Sequence, residues 1–437
     1  MAHDTIYALS TAPGRAGIAV VRVSGPETAH AIETLTGRPP PMPRKAVLMR
    51  FFGQDGAAID EGLLLYFPAP ASFSGEDMAE FHVHGGRAVV EGLFDALSAL
   101  GLRVAEPGEF TRRAFENGKL DLTRAEAIAD LIDAETEAQR GQALRQYDGA
   151  LADLYEDWRS QLVAALAWAE ALIDFSDEEL PGGTMDRVRQ IESRIMKEIQ
   201  GHLDDSSRGE LQREGIVLTV LGLPNAGKSS LVNALAKRDI VIVAETAGTT
   251  RDVIEVRLNL GGYLVTLADT AGLRQASEAV EAEGVRRALA RARSADLVLL
   301  LLDGSAADPM AGIPPGTRCD LTVWNKSDLP WPARREGLTL SLKTGEGLDA
   351  VIAAITAKVR ERLDSPGEAP VLTRRRHRDA LSEAAKSLES ALAAPEDRPE
   401  LLAEDLRLAL RALGRIVGSV DVEQILDIVF RDFCIGK

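Results

Sequence analysis

The sequence predicts a multidomain α/β protein: an N-terminal α+β domain, a helical bundle, and a parallel α/β domain inserted into that bundle. Its 437 residues exceed one ordinary core, and typical domain sizes favour about three. The apolar period changes from short runs broken by Gly and Pro to helical spacing after Lys119, then to strand–helix alternation at Gly215. Helical spacing returns past residue 363, so the strand–helix unit interrupts the helices.

Residues 1–118 carry the runs Gly17–Val23, Val47–Phe52, Gly62–Phe67 and Met78–Val83, which read as strands. Val89, Val90, Leu93, Leu97 and Leu100 recur at helical spacing and add a packed helix. Glu80, His82 and His84 alternate along one strand, so a period of two puts them on one face. That face has two readings, a metal-ligand set and, more ordinarily, a solvent-facing polar edge.

Residues 119–214 form the first part of the helical domain. Thr123 and Glu126 match a capping box, in which the hydroxyl takes one orphan N–H and the carboxylate reaches back for another. Ala125, Ile128, Ala129 and Ile132 then form a stripe on a long helix. Leu151, Leu154, Trp158, Leu162 and Leu166 mark a second helix; Val188, Ile191, Ile195, Ile199 and Leu203 mark a third, after the turn-rich Ser176–Thr184.

Residues 215–362 open on the buried strand Ile216–Leu221. Further strands are expected near Leu264–Ala268, Leu297–Leu302, Leu321–Trp324 and Leu338–Ser341, a parallel pattern. Past the linker Asp364–Pro370, residues 363–437 carry Leu402, Leu406, Leu410 and Leu413, then Val422, Ile425, Leu426 and Val429. These helices pair most simply with those before Gly215 to complete one bundle.

Composition excludes several classes. A net charge of −17 argues against general nucleic-acid affinity, which needs clustered Lys and Arg to release counterions. The cluster Arg374, Arg375, Arg376, His377 and Arg378 reads as a solvated helix start or as a local RNA patch. No apolar run approaches the roughly 20 residues that cross a bilayer, so no membrane partner is expected. Met1–Thr11 shows no signal or transit pattern, and a cytoplasmic address is expected. Cys319 and Cys434 are too far apart for metal-ligand spacing.

The chemistry concentrates in the inserted unit. Gly222-Leu223-Pro224-Asn225-Ala226-Gly227-Lys228-Ser229 fits the P-loop pattern, directly after an apolar strand and before the helical run Leu231, Val232, Leu235. Its glycines let backbone N–H groups converge on phosphate oxygens at a helix N-terminus. Lys228 offsets β/γ charge, and the Ser229 hydroxyl is placed for Mg²⁺. Asn325-Lys326-Ser327-Asp328 ends another buried strand. A carboxylate at Asp328 accepts from guanine N1–H and the N2 amine, donors that adenine lacks, so guanine is specified. Asp269-Thr270-Ala271-Gly272 ends a third strand, with Asp269 able to reach Mg²⁺ through water. Gly248-Thr249-Thr250-Arg251-Asp252 resembles a first switch, with Thr250 as the second Mg²⁺ ligand.

Four elements in this order predict a P-loop GTPase domain of the Ras-like fold. Leu273 stands where Ras-like enzymes carry the water-orienting Gln, and an aliphatic group neither accepts nor donates a proton. Glu278, Glu281 and Glu283 are the nearby alternatives, each also readable as plain solvated surface.

Short blocks flank this unit. Asp4-Thr5-Ile6, Pro13-Gly14-Arg15, Arg22-Val23-Ser24-Gly25, Ser74-Gly75-Glu76-Asp77, Pro107-Gly108-Glu109-Phe110, Lys119-Leu120-Asp121-Leu122 and Phe433-Cys434-Ile435-Gly436-Lys437 stand in that order around it. Together they resemble the MnmE family of tRNA-modification GTPases, within the TrmE-Era-EngA-like class, over the whole chain. The resemblance implies a homodimer formed through a folate-binding-like N-terminal domain, and an FAD-containing partner, MnmG, in a heterotetramer. Together they install a 5-carboxymethylaminomethyl group on the wobble uridine of certain tRNAs. It implies a 5-formyl-tetrahydrofolate-type donor at Arg22, Glu80, Lys119 and Lys437.

The same resemblance implies K⁺ near the phosphates, held by Asn225 and the loop Ala244–Thr249, with Ala244, Thr246 and Thr249 as ligands. It singles out Glu281 as the residue that orients or activates water. The nucleotide contacts implied are Asn225, Ala226, Gly227, Lys228, Ser229, Ser230, Ala244, Glu245, Thr246, Ala247, Gly248, Thr249, Thr250, Asp269, Thr270, Ala271, Gly272, Asn325, Lys326, Asp328, Ser341, Leu342 and Lys343. Ser341-Leu342-Lys343 departs from the usual Ser-Ala-Lys in its middle residue. Two rival readings are a ribosome-assembly GTPase, which calls for a KH-like Gly-X-X-Gly loop, and a folate-binding scaffold with a vestigial G domain. Intact Lys228, Ser229, Asp269 and Asp328 weigh against the second.

Overall fold

The computed structural model describes residues 4–175, 183–238, 241–242, 256–267, 290–311, 313–332, 336–364, 372–420, 426, 429–430, 433 and 436. They group into two compact units, Met1–Ala129 with Tyr147–Ser160 and Leu410–Lys437, and Asp130–Gln146 with Gln161–Ala409.

In the first unit, strands β1 (Ile6–Leu9), β2 (Ala16–Ser24), β3 (Val47–Phe52), β4 (Ala58–Phe67), β5 (Met78–Gly85) and β6 (Arg103–Val104) form one sheet in the order β3-β4-β5-β2-β1-β6. Alternation explains its two faces. Ala19, Val21 and Val23 of β2 and Phe81 and Val83 of β5 point to one side, where helices α1 (Thr28–Thr36) and α2 (Arg87–Ala99) bury Ile32, Leu35, Leu93 and Leu97 against them. Arg22 and Glu80 are cross-strand partners on the other side. β5 lies between β4 and β2, so Glu80, His82 and His84 share a face of an interior strand and not an edge.

Helix α3 (Glu109–Glu116) supplies a buried cation, Arg113, which donates to Asp4 and Glu109 at 3.0 and 2.8 Å and to Glu76 at 3.2 Å. Arg103 joins from β6 with bonds of 2.6 Å to Asp4 and 2.6 Å to Glu109. Burial works to raise the Glu109 carboxyl, but the bonds from Arg103, the Glu106 N–H and Arg113 outweigh it and hold it below the usual carboxylate range. The chain's last residues return to this unit. Gly436 has φ +97°, a Cβ there would lie 2.1 Å from the Leu9 carbonyl oxygen, and the Ser10 hydroxyl donates to the Gly436 carbonyl at 2.9 Å.

Helix α4 (Leu122–Asp133) starts before the predicted capping box. Asp121 is the cap: its carboxylate accepts from the Thr123 and Arg124 N–H groups at 2.8 and 3.1 Å, and Thr123 sits inside the first turn. Asp is as good a cap as Thr, and both stand next to the apolar stripe, so spacing alone chose the wrong one. The long helix expected there ends at Asp133, and α5 (Glu137–Tyr147) follows a short break.

Helices α6 (Ala150–Asp174), α7 (Thr184–Asp204) and α8 (Ser206–Glu214) precede the inserted unit, which contains β7 (Ile216–Leu221), α9 (Lys228–Ala236), β8 (Val241–Ile242), β9 (Val256–Leu260), β10 (Tyr263–Leu267), β11 (Leu297–Asp303), β12 (Leu321–Asn325), β13 (Leu338–Thr339) and α10 (Leu348–Leu363). Helices α11 (Arg375–Ala393) and α12 (Pro399–Val417) follow. The second sheet runs β13-β12-β11-β7-β10-β9-β8. Its centre is parallel as expected, but β9 pairs antiparallel with both β10 and β8. The parallel reading missed this hairpin, although Gly261-Gly262 between two apolar runs is a hairpin signal. Arg257 of the hairpin pairs with Glu135 at 3.1 Å, and the Ala138 N–H donates to the Gly262 carbonyl at 3.1 Å.

Helix α7 packs against α11. Arg189 of α7 donates to the carbonyls of Ala391 and Ala394 at the end of α11, satisfying oxygens a helix C-terminus leaves open. One turn on, Glu192 is fully buried, 3.3 Å from Arg189. Burial pushes its carboxyl up to about 7, the charge and hydrogen bond of Arg189 oppose the rise, and Asp405 adds to it. The basic cluster at the start of α11 is only in part the solvated helix start expected: Arg375 is exposed, while its neighbours are engaged by the fold. Arg374 bonds Asp130 at 2.7 Å, Arg378 pairs with Glu210, and His377 is buried. No helix among the described residues is long and apolar enough to cross a membrane.

Candidate nucleotide-binding site

β7 is flanked by the parallel strands β10 and β11, and the loop leaving its C-terminal end is the Gly222–Gly227 run. Ligands of open α/β sheets bind at this edge. Two glycines are sterically required. A Cβ on Gly222 would lie 2.3 Å from the Leu301 carbonyl oxygen, and one on Gly227, at φ +103°, would lie 2.4 Å from Asn325 Nδ2. Asn225 also takes the left-handed conformation, at φ +64°. Helix α9 begins at Lys228, so Ser229 and Ser230 occupy its first turn, where the positive end of the helix dipole favours an anion.

The Lys228 ammonium curls over this loop, donating to the carbonyls of Gly222 and Leu223 at 2.7 and 2.8 Å. Burial alone pushes its pKa down. A partly buried cation with no carboxylate partner among the described residues is stabilised by any phosphate that enters, which restores the charged form.

The second half of the site stands at the ends of β11 and β12. Asn325 is buried and bridges two loops: its Nδ2 donates to the Ala226 carbonyl at 2.7 Å, and its Oδ1 accepts from the Leu342 N–H at 3.2 Å. Asp328 accepts from the buried Ser341 hydroxyl at 2.7 Å, which fixes one carboxylate oxygen. Lys343 follows in the same loop, in which the Gly345 N–H closes back on the Ser341 carbonyl at 2.8 Å. The structure therefore brings Ala226, Gly227, Asn325, Asp328, Ser341 and Leu342 together around one sheet edge.

Sequence reasoning passed over three neighbours. Asp303, at the end of β11, holds Lys326 Nζ at 2.6 Å; Ser305 bonds the same carboxylate; Trp331 donates from its indole N–H to the Lys326 carbonyl at 2.9 Å. Burial works to raise the Asp303 carboxyl, but the bonds from Lys326 and Ser305 prevail and hold it below the usual range. An acidic residue closing the all-apolar run Leu297–Leu302 was the available signal.

Ala244, Glu245, Thr246, Ala247, Gly248, Thr249, Thr250, Asp269, Thr270, Ala271, Gly272 and Glu281 lie outside the described residues, as do Lys437 and Cys434. Of the two expected Mg²⁺ ligands, Ser229 is described and Thr250 is not; of the K⁺ ligands, only Asn225 is described.

In the N-terminal sheet, Arg22 donates to Glu80 Oε1 at 2.9 Å through its terminal nitrogen, with its guanidinium over the rings of Phe73 and Phe110 at 5.4 and 5.6 Å. Lys119 Nζ is engaged elsewhere, on the Pro70 carbonyl at 2.8 Å. His82 lies 3.4 Å from Glu80, whereas His84 turns to Asp60 at 2.9 Å. The metal reading of that face fails: among the described residues no three His, Cys, Asp or Glu side chains are grouped to hold an ion.

Comparison with known proteins places this geometry in a family. Residues 5–119 match the family described as GTP-binding protein TrmE N-terminus, and residues 122–434 match the MnmE helical domain. A relative from Parvibaculum lavamentivorans, named tRNA modification GTPase MnmE, is 56% identical over 99% of this chain and 100% of its own length. Relatives of the same name from Paramagnetospirillum magneticum and Rhodospirillum rubrum are 55% and 52% identical, over 99% and 100% of this chain and 100% of their own lengths. With one family spanning the helical and inserted residues and full-length relatives above half identity, the chain belongs to the MnmE family of tRNA modification GTPases.

Proposed function

We propose that this chain is a cytoplasmic GTP hydrolase that modifies the wobble uridine of certain tRNAs with MnmG, building the 5-carboxymethylaminomethyl group. The observation that supports this reading is the bridge from Asn325 to Ala226 and Leu342, which joins the Gly222–Gly227 loop to the loop whose Ser341 holds Asp328. In this reading the α9 N–H groups and Lys228 take the β- and γ-phosphates, leaving the loop carbonyls for the ligand. Asp328, held by Ser341, reads the guanine edge, and adenine leaves that carboxylate without donors. Ser229 and Thr250 hold Mg²⁺, and Asn225, Ala244, Thr246 and Thr249 hold K⁺. Such cations supply positive charge where negative charge moves in phosphoryl transfer, as an arginine finger does. Glu281 orients the attacking water.

The proposal extends to organisation. Residues 1–118 form the dimerising domain, which takes a 5-formyl-tetrahydrofolate-type donor at Arg22, Glu80, Lys119 and Lys437. Residues 215–362 form the G domain, and residues 119–214 and 363–437 form the helical domain that relays its state. Support for the folate reading is that Arg22 and Glu80 face each other beside two aromatic rings, a setting suited to a flat polar heterocycle.

GTP hydrolysis measured in K⁺ and in Na⁺ buffer tests the proposal. A large K⁺ preference, together with a Glu281→Ala protein that binds GTP yet turns over poorly, is expected. Equal rates in the two salts defeat the K⁺ assignment, and unchanged turnover reassigns the role of Glu281. Loss of the wobble modification in tRNA from a deletion strain is expected, and its persistence refutes the tRNA reading.

A further inference from the structure

Lys326 is held more tightly than a half-exposed lysine needs for stability. Its backbone is left-handed at φ +67°, a conformation that crowds a residue with a Cβ. Its carbonyl accepts from the Trp331 indole N–H at 2.9 Å and from the Leu329 N–H at 3.0 Å. Its ammonium rests on Asp303.

The Asp303 carboxylate divides its work. Oδ1 accepts the Ser305 N–H at 2.9 Å and the Ser305 hydroxyl at 2.6 Å, while Oδ2 accepts Lys326 Nζ at 2.6 Å. The carboxylate is thus oriented by one residue and spends its other oxygen on the lysine. Trp331 closes the group: its ring covers Gly304, where any Cβ would meet the indole at 2.3 Å, and the Gly304 N–H donates to the Asn325 carbonyl at 3.0 Å. The ends of β11 and β12 are joined where Lys326 departs.

A lysine stem has four rotatable carbons and gives up rotamer freedom when fixed. Pinned at both ends by the protein's own groups, the Lys326 stem gives up that freedom, and it stands two residues from Asp328. An apolar stem beside an edge-reading carboxylate is a wall for the face of a purine. We propose that Asp303 and Trp331 are positioning residues that hold the Lys326 stem as one wall of the base pocket and so set affinity for the guanine base. This rests on the guanine-nucleotide reading above.

The test uses the full chain and fluorescence titration with N-methylanthraniloyl-GDP and its adenine counterpart. Asp303→Asn keeps an oxygen for Ser305 but removes the charge facing Lys326. It is expected to weaken binding of the guanine probe about tenfold, the scale of one charge-assisted bond partly open to solvent. In a Lys326→Met background the same substitution is expected to change affinity less than twofold, because its effect runs through the lysine. Trp331→Phe keeps the ring against Gly304, drops the N–H, and is expected to weaken the guanine probe as well.

Unchanged affinity in both Asp303→Asn and Trp331→Phe overturns the proposal. An equal loss from Asp303→Asn with or without Lys326 also overturns it, since that marks a merely structural aspartate. Failure of the underlying reading looks different: the unsubstituted chain then shows no preference for the guanine probe over the adenine one.

Discussion

Glu192 offers a test of the helical packing that needs no ligand. Its carboxyl is fully buried between α7 and its neighbours, and burial raises it from an ordinary 4.5 to about 7. The folded protein therefore binds a proton more tightly than the unfolded chain, and stability falls as pH rises through the window from about 4.5 to 7. At 1.36 kcal/mol per pH unit the full penalty above that window is about 3 kcal/mol. Glu192→Gln removes the titration while keeping shape. The stability difference between the two proteins isolates this group, because every other titration cancels. Urea unfolding followed by far-ultraviolet circular dichroism at pH 5 and pH 8 reads it. The glutamine protein should gain about 3 kcal/mol relative to the parent between those pH values, less whatever part of the titration already lies below pH 5. Parallel stability curves across that range refute the claim that Glu192 is buried against its charge.

Further outcomes follow from the nucleotide site. Gly227→Ala places a Cβ against Asn325 Nδ2 at a positive φ and should cost about 2 kcal/mol of thermal stability while abolishing nucleotide binding, measured by thermal shift with and without GTP. Asp328→Asn keeps an acceptor for Ser341 but replaces the other carboxylate oxygen by an amide donor. GTP hydrolysis should fall by at least about 10²-fold at fixed substrate, and XTP, with a carbonyl at the purine 2-position, should become the better substrate in a competition assay. Lys228→Met should leave folding intact, since among the described residues the ammonium bonds only loop carbonyls, yet reduce GTP turnover by about 10²-fold or more.

What could be read from the sequence was what is local. The strand–loop–helix at Gly222–Ser229 and the strand end at Asn325–Asp328 are contiguous patterns whose chemistry is written in neighbouring residues. Their contact is not: Asn325 reaches Ala226 across 99 positions, and only the fold brings them together. Asp303 was overlooked for the same reason, because its partner Lys326 lies just past the end of the next strand. Helical spacing alone cannot single out Glu192 on its amphipathic helix, since periodicity ranks residues by position and says nothing of what a second helix will cover. The basic run at Arg374 was legible only in part: Arg375 is solvated as expected, while Arg374 and Arg378 are paired. Its carboxylate partners Asp130 and Glu210 come from segments well over a hundred residues away.

The Asn325 amide makes the two halves of the nucleotide site behave as a caliper with a locked screw. Phosphate jaw and base jaw, in the proposed reading, are set to one opening by bonds within the protein itself. A guanosine lacking phosphates and an inorganic phosphate should each bind feebly. Joined in one molecule they gain far more than either supplies, because the gap between the jaws was closed when the chain folded.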